Sequence, residues 1–241
     1  MTTAATLTTP TTTTTKEATM TTPTVPSVAN VFDPLAADPD AQLFAHLVPF
    51  VRVVHDFLDL DACAALKARI AAYGPQAAPV SMAHGAVMRP EIRNNDRVIF
   101  DDVDLAASLF ERARPFLPST LQGDEGPRST GRRGAAWQAI GWNERFRGYR
   151  YRKGQRFAPH HDGCFQRSRD EVSALTVLLY LDDGCVGGET NLLDWGVQVR
   201  PTTGTLFVFD HYVLHEGAVV TAGEKSVLRS DVMYRRVGAA T

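Results

Sequence analysis

The sequence predicts a mainly β fold with flanking helices, arranged as a double-stranded β-helix, or jelly roll. Three observations lead there. From Trp137 onward, short runs rich in β-branched and aromatic residues recur, most of them separated by Gly, Pro, Asp or Asn. Two amphipathic segments precede these runs in the N-terminal half. The 241 residues suit one domain plus a tail, with the 44% hydrophobic and 22% charged content of a globular protein. Many short strands close into a sandwich or barrel, and two helices packed outside it make the jelly roll the natural architecture.

The elements follow in order. The opening stretch, "MTTAATLTTPTTTTTKEATMTTPTVPS", is dominated by threonine and has neither a basic nor an apolar signal-peptide region. It cannot supply a core, so residues 1–27 are expected to form a disordered tail and 28–241 a single domain. Within that domain, 28–118 reads as helical support and 137–236 as the jelly-roll core. "VPFVRVV" is a strand. "DLDACAALKARIAAYG" is a helix, with Asp59 or Asp61 able to cap its start and Gly74 fitting its end. "IRNNDRVIF" is a polar turn running into a strand, and a second helix spans "DDVDLAASLFERARPFL", stopped by Pro118. Residues 119–136, rich in Gly, Ser and charge, form a loop long enough for a lid. The strands then run through "WQAIGW", "RFRGYRYRKG", "ALTVLLYLD", "GVQVRP", "GTLFVFD", "GAVVTA" and "KSVLRSDVMYRR".

Composition narrows the function classes. A formal charge of −2 gives no general attraction to nucleic acid or anionic membrane, so neither is expected as a partner. The basic cluster Arg145, Arg147, Arg150, Arg152 and Lys153 reads as a strand with a solvated face. Cys63, Cys164 and Cys185 form no CxxC pair and no disulfide framework, which fits a reducing compartment and a cytoplasmic location. No apolar run approaches a membrane span.

The chemistry concentrates at "APHHDGCF", residues 158–165. Side chains alternate along an extended segment, so His160 and Asp162 share a face and His161 points away. One imidazole and one carboxylate can meet the same ion there. His46, His55 and His84 lie in the helical half, whereas His211 and His215 follow the strand "GTLFVFD" in the β-rich half. Two histidines and a carboxylate form the facial triad of non-haem Fe(II) oxygenases.

Three motifs sharpen this. "YRYRKGQRFAPHHDG", "LTVLLYLDDGCVGGETNLL" and "PTTGTLFVFDHYVLHEGAVVTAGEKSVLRSDVMY" occur in this order. Together they resemble the prolyl 4-hydroxylase-like branch of the Fe(II)/2-oxoglutarate dioxygenases, whose fold is the cupin-like jelly roll. The resemblance is strong from Gly141 to Arg236 and weak over the early "FVRVVHDFLDLDACAAL". It implies His160, Asp162 and His215 as iron ligands. It also implies Lys225, ten residues beyond His215, as the partner of the distal carboxylate of 2-oxoglutarate. A buried carboxylate needs such a cation. Arg229 shares the inward face with Lys225 and is the alternative anchor; the spacing favours Lys225 and leaves Arg229 to the substrate side or to an acid such as Asp231 or Glu189. Tyr151 and Tyr180 match tyrosines near the co-substrate, and Thr176 shares a face with Tyr180. His211 lacks the "HEG" context and ranks below His215 as a ligand.

The resemblance further implies Fe(II), 2-oxoglutarate and O2, with ascorbate in support, and hydroxylation of a substrate C–H bond with release of succinate and CO2. An aspartate at position 162, rather than a small residue, favours hydroxylation over halogenation. For the substrate, alternation presents Arg145, Arg147, Tyr149 and Tyr151 on one face. "RNNDR", Arg93 to Arg97, could add the amides of Asn94 and Asn95 and guanidinium groups, although that segment also reads as a turn. The expected partner is a polar small molecule, peptide or protein side chain, of proline type by resemblance alone. Two other readings are a cupin-like metal dioxygenase without 2-oxoglutarate and a non-catalytic binding module on the same fold.

Overall fold

The computed structural model describes residues 31–33, 49–82, 85–121 and 136–238. The threonine-rich tail, His46, His84 and most of the 119–136 loop therefore lie outside the described residues.

The N-terminal half supplies strand β1 (Val51–Val54), helix α1 (Leu60–Ala72), strand β2 (Asp96–Asp101) and helix α2 (Val103–Ala113). Asp59 caps α1 by accepting from the Ala62 amide at 2.7 Å, and Asp102 caps α2 by accepting from the Leu105 amide at 2.8 Å. Helix α2 is shorter than expected. Pro115 sits in a single 3₁₀ turn, Arg114–Phe116, that ends the helix ahead of Pro118, because its ring supplies no amide hydrogen for a helical bond.

The β-rich half contains β3 (Trp137–Trp142), β4 (Arg145–Arg152), β5 (Phe157–His160), β6 (Glu171–Tyr180), β7 (Thr190–Leu192) and β8 (Val197–Val199). It continues through β9 (Leu206–Asp210), β10 (His215–Gly217), β11 (Val220–Ala222) and β12 (Glu224–Arg236). The expected strand "GAVVTA" is divided. Gly217 ends β10, whereas Val220 begins β11, which pairs with Val186–Gly187.

Two antiparallel sheets form the jelly roll. The larger runs β1-β9-β6-β12-β4-β2, with β3 also paired to β12; the smaller runs β5-β10-β7-β8. Strand β12 pairs with β6 on one side and with β4 and then β3 on the other. Both faces of the large sheet are covered. Leu175, Val177, Leu179, Phe146 and Leu228 face the helices, packing with Cys63, Ile70, Leu109 and Phe110. Leu178, Tyr180, Tyr149, Tyr151 and Val227 face the small sheet, packing with Leu192, Phe207 and Phe209. Burial on both faces explains why "ALTVLLY" is an unbroken apolar run with little polar alternation.

Helix α1 approaches β4 closely at one point. A Cβ on Gly148 would lie 2.7 Å from the Ile70 side chain, so the absence of a side chain there lets the helix seat. Gly148→Val should cost about 1–3 kcal/mol through overpacking, read as a lowered denaturation midpoint. An unchanged midpoint would show that the helix layer shifts freely.

Candidate metal centre

Strand register brings the two distant histidines together. His160, at the end of β5, pairs directly with His215, at the start of β10, and their rings lie 4.3 Å apart. Each imidazole is fixed by a carbonyl two residues earlier: His160 Nδ1 meets the Ala158 oxygen at 2.8 Å and His215 Nδ1 the Val213 oxygen at 3.0 Å. A carbonyl only accepts, so each Nδ1 carries the hydrogen and each Nε2 presents a lone pair. The Nε2 atoms lie 3.7 and 3.6 Å from the two oxygens of Asp162. The donor atoms of all three side chains fall within 4.8 Å of one another. This donor set, two imidazoles and a carboxylate, fits a divalent transition metal.

Electrostatics keeps all three groups in the metal-binding form. Burial, then the neighbouring His215, lowers His160 to about 4, and burial also lowers His215. Burial opposes the charge on Asp162, but Arg229, His215 and His160 outweigh it and hold the carboxyl far below the usual carboxylate range.

Asp162 is held from two sides. Arg229 Nη2 lies 3.1 Å from Oδ1, and Thr176 Oγ1 donates to Oδ2 at 2.6 Å. Thr176 Oγ1 also lies 2.8 Å from His211 Nδ1, and His211 Nε2 lies 2.8 Å from Ser173 Oγ. Thr176 has one hydrogen, committed to Asp162, so His211 Nδ1 donates to Thr176 and Nε2 accepts from Ser173. His211 is buried and braces the carboxylate from behind. It is neither a competing ligand nor an ordinary polar residue at a strand end. Thr176 likewise serves Asp162 instead of lining a cavity with Tyr180. No local signal specifies this support, because Ser173 and Thr176 lie on β6 whereas His211 follows β9, thirty-five residues beyond Thr176. His161 is exposed, with Nδ1 2.9 Å from the Tyr212 carbonyl, and Cys164 is exposed as well.

A cavity opens beside the three side chains, lined by Tyr149, Tyr151, Leu178, Thr190, Lys225 and Arg229 among others. Lys225 is buried. Its Nζ donates to the Gly188 carbonyl at 2.6 Å and lies 5.2 and 5.5 Å from the ring centres of Tyr151 and Tyr180. Among the described residues no carboxylate is within ion-pairing distance of it, and burial pushes it down to about 8. Gly188 turns its carbonyl toward this ammonium from a left-handed backbone at φ 74°, where a Cβ would crowd the lysine stem at 3.3 Å. Tyr180 is set back from the cavity and donates to Thr190 Oγ1 at 2.8 Å, so Thr190 presents the polar group in its place.

The remaining residues divide. Arg229 spans Asp162 and Asp231, and Arg147 reaches the second Asp231 oxygen at 3.2 Å. Tyr149 lines the cavity; burial opposes its ionisation, but Arg93, Arg229 and Arg147 outweigh it and bring the phenol down to about 8. Arg145 is exposed at the start of β4. Asn94 and Asn95 do not line the cavity. Asn94 accepts from the Arg156 amide at 2.7 Å, and Asn95 accepts from Arg93 Nε at 2.7 Å and donates to the Asp96 carbonyl at 2.8 Å. Both amides are consumed by the turn, whose backbone groups need partners. Arg93, whose guanidinium group "RNNDR" offers together with the amides, lies against the cavity wall: it sits over the rings of Tyr149 and Phe157, 4.5 and 4.4 Å from their centres.

The jelly roll and its two-histidine, one-carboxylate cluster define a class of metal-dependent oxygenase fold. Residues 146–230 match the family model for the 2OG-Fe(II) oxygenase superfamily. Prolyl 4-hydroxylase 1 of Arabidopsis thaliana is 25% identical over 204 residues, which cover 73% of this chain and 66% of that protein. The chain thus spans just under two thirds of that curated relative. Two solved structures share the fold. A Pseudomonas putida prolyl-4-hydroxylase aligns at a TM-score of 0.52 and 23% identity, covering 85% of this chain and all (100%) of that one. The collagen prolyl hydroxylase of Paramecium Bursaria Chlorella virus-1, solved with 2OG, aligns at 0.51 and 18% identity, covering 77% and 96%.

The buried histidines make stability depend on pH in a defined direction. Unfolded, His160 titrates near ~6.5; folded, near about 4. Its contribution is therefore complete above the unfolded value and lost as pH falls through the folded one. Asp162, also depressed, acts in the same sense at lower pH. The metal-free protein, held in chelator, should melt at progressively lower temperature from pH 7 to 4. A rise on acidification would contradict neutral, buried imidazoles.

Proposed function

We propose that this chain is an Fe(II)- and 2-oxoglutarate-dependent dioxygenase that hydroxylates a C–H bond of a proline-type or related polar substrate, releasing succinate and CO2. One observation carries the reading. Two neutral imidazoles and a carboxylate converge beside a cavity that also holds a buried ammonium without an acidic partner.

His160, Asp162 and His215 are the iron ligands in this reading, and the bound iron supplies oxygen activation coupled to oxidation of the co-substrate. The protein's part is placement. The Ala158 and Val213 carbonyls aim both Nε2 atoms at one point, and Thr176 and Arg229 fix the carboxylate between them. Lys225 pairs with the distal carboxylate of 2-oxoglutarate, which supplies the counter-charge the ammonium lacks. Tyr151 stays a neutral phenol, raised to about 12 by burial, and can donate to a carboxylate at the same end. Arg229 is committed to Asp162 and Asp231, so it supports the metal ligand and leaves the anchoring role to Lys225. Thr190 provides the hydroxyl group, backed by Tyr180. The helical support and the jelly roll act as one catalytic domain, because α1 and α2 cover the outer face of the sheet that carries Lys225 and Arg229. The proline-type substrate is supported by the name of the Arabidopsis relative and by the match of residues 146–230 to the oxygenase family model.

Anaerobic addition of Fe(II) and 2-oxoglutarate should produce the visible charge-transfer band of a chelated co-substrate. His160→Ala should abolish it, and His161→Ala should largely spare it. Lys225→Ala should weaken 2-oxoglutarate binding by about 2 kcal/mol or more, roughly thirtyfold, as expected for loss of a buried charge partner. A band that survives His160→Ala but not His161→Ala would reassign the ligands, and absence of any band and of succinate formation would remove the dioxygenase reading.

A further inference from the structure

We propose that Arg93 and Arg97 form a second, carboxylate-binding subsite at the mouth of the cavity, so that the substrate is an acid. This rests on the dioxygenase reading, in which Lys225 already serves the co-substrate.

Topology places both arginines beside residues that line the cavity, Tyr149 and Phe157. Arg97 pairs directly with Tyr149 across the β2–β4 register, and Tyr149 in turn pairs with Val227 of β12. Arg93, four residues earlier, forms an isolated bridge with Phe157 of β5. Residues 93–97 therefore reach from the large sheet to the small one across the cavity edge.

Charge and hydrogen bonding then point to a missing partner. Arg93 is only 4% exposed, yet its Nη2 is buried with no hydrogen-bond partner. Among the described residues no carboxylate lies within ion-pairing distance of Arg93 or Arg97. The nearby acids are engaged elsewhere: Asp231 and Asp162 by Arg147 and Arg229, and Asp96 by Arg150 and Arg152. Arg97 is half-buried, and its charged neighbours include Arg93, Arg147 and Arg229. A buried cation with unmet donors is costly unless an anion completes it. The form of the anion follows from the stacking. With Nε bonded to Asn95 and the guanidinium lying over the Tyr149 and Phe157 rings, Nη2 is the donor left for an anion, and a carboxylate oxygen meets it with a charge-assisted hydrogen bond.

The test uses the full chain loaded with Mn(II) and 2-oxoglutarate, which does not turn over. Thermal shift is measured with a panel of L-amino acids, including proline, and short acetylated peptides ending in proline, each as free acid and as primary amide, plus inorganic phosphate. Free acids should stabilise the protein and their amides should not; whether amino acids or peptide acids do so identifies the source of the carboxylate. Arg97→Gln, at a half-buried position, should weaken acid binding tenfold or more. Arg93→Gln should do the same wherever it folds. Both should keep the Fe(II)–2-oxoglutarate band, which separates this subsite from the co-substrate anchor. The inference is overturned if amides or phosphate protect as well as acids, if no acid protects, or if the Arg97 variant loses the band instead. Failure of the wild-type band would remove the dioxygenase reading on its own, and acid-against-amide discrimination would still be read on the metal-free protein.

Discussion

A carboxylate buried among aromatic rings and strands must be compensated, and Asp162 is where this constraint governs the molecule. Arg229 faces one of its oxygens and Thr176 the other. Beyond Arg229 the signs alternate: Asp231 follows, then Arg147. The row crosses from the segment after β5, through β12, to β4, so the register of the large sheet and the charge on the metal-site carboxylate are mutually dependent. A one-residue slip of β12 would turn Arg229 toward the helices and leave Asp162 uncompensated. Removing one member of such a row is costlier than the pair is favourable, because the next charge is left buried alone.

The two covered faces of the large sheet divide the work. The helix-side face is mainly apolar and supplies hydrophobic stabilisation. The inner face mixes aromatic rings with Lys225 and Arg229, and those rings shield the cations from water. Tyr151 and Tyr180 lie near the ammonium as Tyr149 and Phe157 lie against Arg93. Aromatic faces stabilise cations without neutralising them, so each cation remains able to receive an anionic group.

Much of this was legible in the sequence because alternation is a local rule. The inward set Lys225, Val227 and Arg229, the shared face of His160 and Asp162, and the two outer helices all follow from period and punctuation. The match to known family motifs identified His215. What was not legible depends on distant contacts. His211 follows its strand by one residue, and nothing local tells that its ring turns inward to brace Thr176. Asn94 and Asn95 look like substrate amides, but the turn's own backbone takes their hydrogen bonds. The sequence offers the guanidinium of Arg93 but not its setting, which appears only when β5 and β4 bring Phe157 and Tyr149 against it. The early end of α2, by contrast, is local, since Pro115 removes a helical donor three residues ahead of Pro118.

Strand β12 carries a consequence for how the chain is made. It completes the hydrogen bonding of β6, β4 and β3 at once, and it is translated after all of them. Before residue 236 leaves the ribosome, each of these strands has an open edge, and such edges template unwanted pairing. The long sequence separations also make folding slow. During synthesis those edges therefore stay open until one late strand closes the sheet.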